Sequence, residues 1–215
     1  MEHRTSWAVH RDFFALYDRM LGRFSVPEVL DDVSRVVKDA LGAEGTSIYL
    51  VHEETAELEA NAHVGCLNRT IRIPIRETSL AGFCAARGRA FLVEDAYGDL
   101  SHIAPDLEFD RSWDEAHGFR TRDVMCAPAT FKGEVVGVVQ VVNCAAGRFQ
   151  DEDLTALLGV ARLVGYALYH LRLYNDLATV RQLQKEKAKF MRVMVHELKS
   201  PLAASRQMAD LAAGQ

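Results

Sequence analysis

The residues best placed to do chemistry lie near the C-terminus, in Phe190-Met191-Arg192-Val193-Met194-Val195-His196-Glu197-Leu198-Lys199-Ser200-Pro201-Leu202. Met191, Met194, Val195 and Leu198 recur at three/four spacing, which predicts an amphipathic helix. Glu197 follows His196 directly, and Ser200 comes one helical turn later, on the same side. Pro201 removes one backbone hydrogen bond from such a helix and bends it at that level. A histidine and a carboxylate are thus presented together beside a built-in kink. The plainer reading is a core histidine on an ordinary helix.

Phe190, His196, Glu197, Leu198, the basic Lys199, Pro201 and Leu202 resemble the phosphoacceptor box of two-component sensor histidine kinases. That resemblance implies a chemistry. His196 would attack the γ-phosphorus of ATP through one ring nitrogen. Glu197 would polarise the other ring N–H as the orienting base. Ser200 takes the place where the family carries Thr or Asn to position a water for dephosphorylation, and so is a possible phosphatase position. No Asn-bearing helix or glycine-rich lid of an ATP-binding domain follows by Gln215. The expectation is therefore the front part of a kinase, with ATP engaged only through a catalytic domain absent from this chain. Alone, it should not phosphorylate itself.

The elements that must position this helix begin with the bulk of the chain. A length of 215 residues, 49% hydrophobic and 26% charged, suits one domain of roughly 150 residues with helical extensions. A net charge of −5 argues against a nucleic-acid partner. The sequence shows no signal peptide and suggests no membrane span, so a cytoplasmic location is expected. Cys66, Cys84, Cys126 and Cys144 form no Cys-x-x-Cys pair. Small buried hydrophobes are the plain reading; a thiol redox sensor or an iron–sulfur site is the alternative.

Helices are predicted over about 5–21, over 25–41 and over 80–87, the last capped by Thr78 or Ser79 and stopped by Gly88. Strands are predicted at 46–51, 57–63, 70–74 and 90–93, with short helical pieces near 107–117. Residues 123–131 and 134–143 read as a hairpin about Lys132-Gly133, with Pro128 marking a bulge or an edge. A long helix starts near Asp151 behind an acidic first turn. The order implies α+β: an antiparallel sheet flanked by helices, with a long C-terminal coiled-coil signalling helix.

Arg72-Ile73-Pro74-Ile75, Ser79-Leu80-Ala81-Gly82-Phe83, Phe91-Leu92-Val93-Glu94-Asp95-Ala96, Gly118-Phe119-Arg120-Thr121-Arg122, the stretch 132–143 and Phe149-Gln150-Asp151-Glu152-Asp153-Leu154 resemble, in order, the pieces of a GAF domain over 25–175. The resemblance implies a small-molecule site between one sheet face and a cap, here 80–122. The candidate pocket is Phe83, Cys84, Tyr97, His102, His117, Phe119, Met125 and Gln140, with Asp95, Trp113, Arg120 and Val139 nearby. Among ligands, the Asn-Lys…Phe…Asp-Glu series of cyclic-nucleotide-binding members is met at Asn143, Phe149 and Asp153, but Cys144 and Leu154 depart from it. Covalent bilin would use Cys84, which Ala85 rather than His follows. Haem would need His102 or His117; a redox or iron–sulfur sensor would use Cys84, Cys126 and Cys144.

Beyond the sheet, Leu157, Val160, Val164, Ala167, Leu171, Tyr174 and Ala178 repeat at heptad a/d spacing. The seam fails at Arg181, and a new phase starts with Val180, Leu183, Lys187, Phe190 and Met194, which resembles a stutter. The organisation expected is an N-terminal helix over 1–24, a GAF-like domain over 25–175, a coiled-coil linker over 176–189 and the start of the phosphoacceptor domain over 190–215. The partners expected are a second copy in a parallel homodimer, a response-regulator receiver domain and an unidentified small molecule. The alternatives are a free methionine sulfoxide reductase of GAF type using cap cysteines, and a dimerising module without ligand.

Overall fold

The computed structural model describes residues 26–64 and 67–213. The expected helix over 5–21 and Cys66 lie outside them. Side chains are described up to Met194, with gaps that include 61–71.

Helix α1 spans Val26–Leu41 and turns Leu30, Val33 and Val37 inward. It ends where Gly42 takes φ +61°, a left-handed conformation glycine adopts without a Cβ clash. Strands β1 (Ala43–His52), β2 (Glu57–Val64) and β3 (Leu67–Pro74) follow as an antiparallel meander. Helix α2 (Leu80–Arg87) is capped by Ser79, whose Oγ accepts the Gly82 N–H at 3.2 Å. It ends at Gly88, φ +59°, whose N–H returns to the Cys84 carbonyl. Strand β4 (Phe91–Val93), helix α3 (Ser112–His117), strands β5 (Val124–Phe131) and β6 (Glu134–Cys144), and helix α4 (Asp151–Ala213) complete the order.

The six strands run β3-β2-β1-β6-β5-β4, each neighbour antiparallel. Lys132 (φ 51°) and Gly133 (φ 88°) form the two-residue turn between β5 and β6, with Phe131 opposite Glu134. Pro128 satisfies both halves of its expectation. It lies beyond the end of short β4, where β5 has no strand partner on that side among the described residues, and the ladder shifts register between Ala129 and Thr130.

Alternation divides the sheet residues between two faces. Tyr49, Leu58, Ala60, Val124, Cys126, Val138 and Val142 share a core with α2 and the cap loops. Ile48, Met125, Val139 and Val141 are buried on the opposite face, with the inward residues of α1 and α4.

The acidic start of α4 has a specific job: Asp153 Oδ2 accepts the Gln150 backbone N–H at 2.9 Å. Leu157, Val160, Ala161, Val164, Ala167 and Leu168 are all buried. Gly165 permits the close approach, since a Cβ there would stand 2.5 Å from the Thr130 carbonyl oxygen. This corrects one expectation. The first four seam positions, Leu157 to Ala167, bury themselves within the sheet domain and are not free for a coiled coil; a helix on a sheet and a coiled coil share the same three/four spacing. By length and composition α4 is long and apolar enough to cross a membrane. These burials show where much of its apolar surface goes.

The chain divides between His170 and Leu171 into two compact units. In the second, α4 continues as helix through His196, Glu197, Ser200 and Pro201. Their side chains lie outside the described residues. Leu173, Leu177, Val180, Leu183, Phe190, Met191, Val193 and Met194 are exposed apolar side chains of this unit.

Candidate functional site

The cap closes over the α2 face of the sheet and leaves a pocket of about 160 Å³. Its floor includes Ser47, Tyr49, Gln140 and Val142 from β1 and β6. The start of α2 supplies Ser79 to Ala81, and the cap supplies Glu108, Phe109, Asp110, Trp113, Asp114, Phe119 and Thr121. Segment 108 is fixed to the approach of α2 by the Glu108 N–H, which donates to the Thr78 carbonyl at 3.0 Å.

Asp114 organises this wall. It is buried, and its carboxylate accepts the Thr121 backbone N–H at 2.6 Å, the Thr121 hydroxyl at 3.0 Å and the Tyr97 phenol at 3.0 Å. Three donors on one carboxylate satisfy most of its lone pairs without a counter-ion. Arg111 and Arg120 each place a guanidinium 4.5 Å from the centroid of the Tyr97 ring. Burial raises the Tyr97 phenol above its ordinary value, and the bond to Asp114 adds to this. Asp110 accepts the Ser112 N–H at 2.9 Å, and hydrogen bonds from Ser112 hold its carboxyl below the usual range. Trp113 stacks on His117 at 4.5 Å and meets Phe119 edge-on at 5.7 Å. Its indole N–H is buried with no acceptor among the described residues.

Of the eight candidate pocket residues, Phe119 and Gln140 line it. Phe83 and Cys84, on α2, are buried in the core. Tyr97 stands behind Asp114. His117 donates from Nδ1 to the Trp113 carbonyl at 2.8 Å and does not line the pocket. His102 donates from Nδ1 to the Asp99 carbonyl and borders a separate groove along β4. Neither histidine is in place as an axial haem ligand for this pocket. Met125 and Val139 belong to the other face of the sheet, a correction the period of two explains: alternation groups residues but does not say which group meets the cap. Sequence reasoning missed Asp114, Glu108 and Asp110. The donors to Asp114, Thr121 and Tyr97, are brought to it by folding, whereas Asp110 bonds locally to Ser112, a turn that marks no ligand site.

For the three described cysteines the plain reading as small buried hydrophobes holds. Cys84, Cys126 and Cys144 are buried free thiols. Burial pushes the Cys84 thiol up to about 12 and the Cys126 thiol well above its ordinary value. Neither is poised as a thiolate. Cys144 sits four residues along β6 from Gln140, the residue paired with Cys126. Among the described residues no group of three or more His, Cys, Asp or Glu is arranged to hold a metal ion, and no cysteine lines the pocket.

The residues that matched the cyclic-nucleotide series hold the fold together. Asn143 (φ 59°) donates to Glu44 at 2.8 Å and to the Arg120 carbonyl at 2.9 Å, and accepts the Arg122 N–H at 2.7 Å. Glu44 is held below its ordinary value, first by that Asn143 bond. Asp123, buried, accepts the N–H groups of Cys144 and Phe149 and so joins β5 to the approach of α4.

Residues 25–168 match the family model of the GAF domain. The chain belongs to that family. The solved GAF domain of a phosphoenolpyruvate-protein phosphotransferase from Coxiella burnetii is similar, with a TM-score of 0.61 at 14% identity, covering 80% of this chain and 99% of that one. So is the free methionine-R-sulfoxide reductase from Neisseria meningitidis solved with its substrate, with a TM-score of 0.60 at 20% identity, over 79% of this chain and 93% of that one. Both likenesses show the fold. A probable 3',5'-cyclic phosphodiesterase of Caenorhabditis elegans is 28% identical over 172 residues, 74% of this chain and 22% of the relative. The chain thus spans under a quarter of that relative's length. In this GAF domain the pocket floor is sheet and the lid is cap, with Asp114 at the join.

Proposed function

We propose that this chain is the cytoplasmic sensory part of a two-component histidine kinase, in which occupancy of the GAF pocket governs phosphorylation of His196. One observation carries the reading: the helix whose start is packed on the pocket-bearing sheet is the helix that contains the Phe190–Leu202 box. The GAF domain is the sensing and regulatory part. The exposed stripe from Leu173 to Met194 is the surface on which two copies pair in parallel. His196 receives the phosphoryl group from an ATP-binding domain C-terminal to this chain, Glu197 orients the imidazole, and a receiver domain takes the phosphoryl group onward. Ser200 stands beside it to assist hydrolysis.

The domain limits follow the same logic: GAF to about residue 175, linker to 189, phosphoacceptor segment from 190. Incubating the full-length protein with ATP should give acid-labile, alkali-stable phosphate. His196→Gln should abolish it. Label that persists in the variant overturns the phosphoacceptor role.

A further inference from the structure

We propose that the pocket under the cap selects a small organic cation: an ammonium group joined to an apolar body about the size of one ring. The inference rests on the reading of this pocket as the ligand site and adds the class of ligand.

Size sets the first limit. A volume of about 160 Å³ is close to that of an engineered cavity that takes up benzene. It is well below the 300–1,000 Å³ of pockets that enclose drug-sized ligands. A volume of this size suits a ligand smaller than a nucleotide.

Charge sets the second. Among the described residues, Glu108, Asp110 and Asp114 line the pocket, and no Lys, Arg or His does. Asp114 is already committed to Thr121 and Tyr97, so its acceptors face inward to the protein. Asp110 takes its hydrogen bonds from Ser112 alone among the described residues, the backbone N–H at 2.9 Å and the hydroxyl, which leaves acceptor capacity on its carboxylate. The guanidiniums of Arg111 and Arg120 stand over the Tyr97 ring. An anionic ligand would meet like charge from these carboxylates, which costs far more than a neutral one.

The walls set the third. Tyr49, Phe109, Trp113 and Phe119 give the pocket aromatic surfaces. Aromatic faces attract cations through the ring quadrupole, Trp most strongly. Aromatic rings with carboxylates at one side are therefore matched to a body that is apolar and positive. The buried Trp113 N–H also lacks an acceptor among the described residues, and a hydroxyl or carbonyl on the ligand would supply one.

Three isosteric probes test this: benzylammonium, benzyl alcohol and benzoate, titrated into the intact chain. The readouts are calorimetry and the indole N–H resonance of Trp113. Benzylammonium is expected to bind at least about fivefold tighter than benzyl alcohol, with benzoate not saturating. The Glu108→Gln/Asp110→Asn double variant should bring benzylammonium down to the level of benzyl alcohol, with Tm as the folding control. If the alcohol or benzoate binds as tightly as the ammonium, or if the double variant leaves the ammonium unchanged, the cation proposal fails while the pocket remains a ligand site. If none of the three moves the Trp113 resonance, both the proposal and the ligand-site reading fall.

Discussion

The Tyr97 phenol donates to Asp114 Oδ2 at 3.0 Å, and this one bond ties the outer loop of the cap to the wall of the pocket. Tyr97→Phe removes one of the three donors on a buried carboxylate, and should cost about 1 kcal/mol in urea unfolding. Asp114→Asn should cost about 1–3 kcal/mol, because its amide turns a donor toward the Thr121 N–H or hydroxyl. Equal stability of Asp114→Asn and the parent chain would contradict this account of the cap.

The seating of α4 on the sheet depends on Gly165 and not on Gly159. At Gly165 a Cβ would meet Thr130 and Ala129 backbone atoms within 2.8 Å. Gly165→Ala should therefore destabilise by about 1–3 kcal/mol. At Gly159 nothing lies within 4 Å. Gly159→Ala should stabilise by about 0.5–1 kcal/mol through helix propensity. Thermal melts of the two variants moving in the same direction would count against this packing.

Much of this fold was legible from local signals. Ser79 and Gly88 bracket α2 by cap chemistry alone, and Lys132-Gly133 marks the hairpin because only a primed turn matches the strand twist. The pocket was less legible. Cys126 and Met125 are neighbours in sequence with the same apolar character, yet they face opposite sides of the sheet. Leu157 to Ala167 has the spacing of a coiled-coil seam and of a helix on a sheet, and only the presence of Thr130 beneath Gly165 decides between them. Asp114 and Asp123 are buried carboxylates whose donors arrive from up to 26 residues away. Composition treats such residues as surface.

The buried thiols give a pH dependence. Cys84 ionises at 9.0 when free in the chain and near 12 when folded. Below 9 both states hold the proton, and stability from this group is complete. Between 9 and 12 the unfolded chain releases it and the folded one does not, so stability falls as pH rises. The slope is up to about 1.4 kcal/mol per pH unit for each such thiol. Cys84→Ala should flatten this limb of the stability curve. Iodoacetamide at pH 8 should label Cys84 and Cys126 only as fast as the fold opens, and rapid labelling without unfolding would contradict their burial.

Pairing through the second unit predicts a specific failure. Leu183→Asp with Phe190→Asp places two charges on exposed apolar positions. Light scattering should show a dimer for the parent chain and a monomer for the double variant, with the Tm of the sheet domain unchanged. A parent chain that is monomeric at tens of micromolar would remove the paired-helix element from the proposal.

The most direct measurement follows the phosphate. In the full-length protein, Gln140→Trp fills the pocket floor, and the rate of phosphohistidine formation at His196 is compared with that of the parent at matched Tm. The account predicts a change of about threefold or more, in either direction, with His196 still the labelled residue. An unchanged rate with the pocket filled would show that the GAF domain and His196 are not coupled.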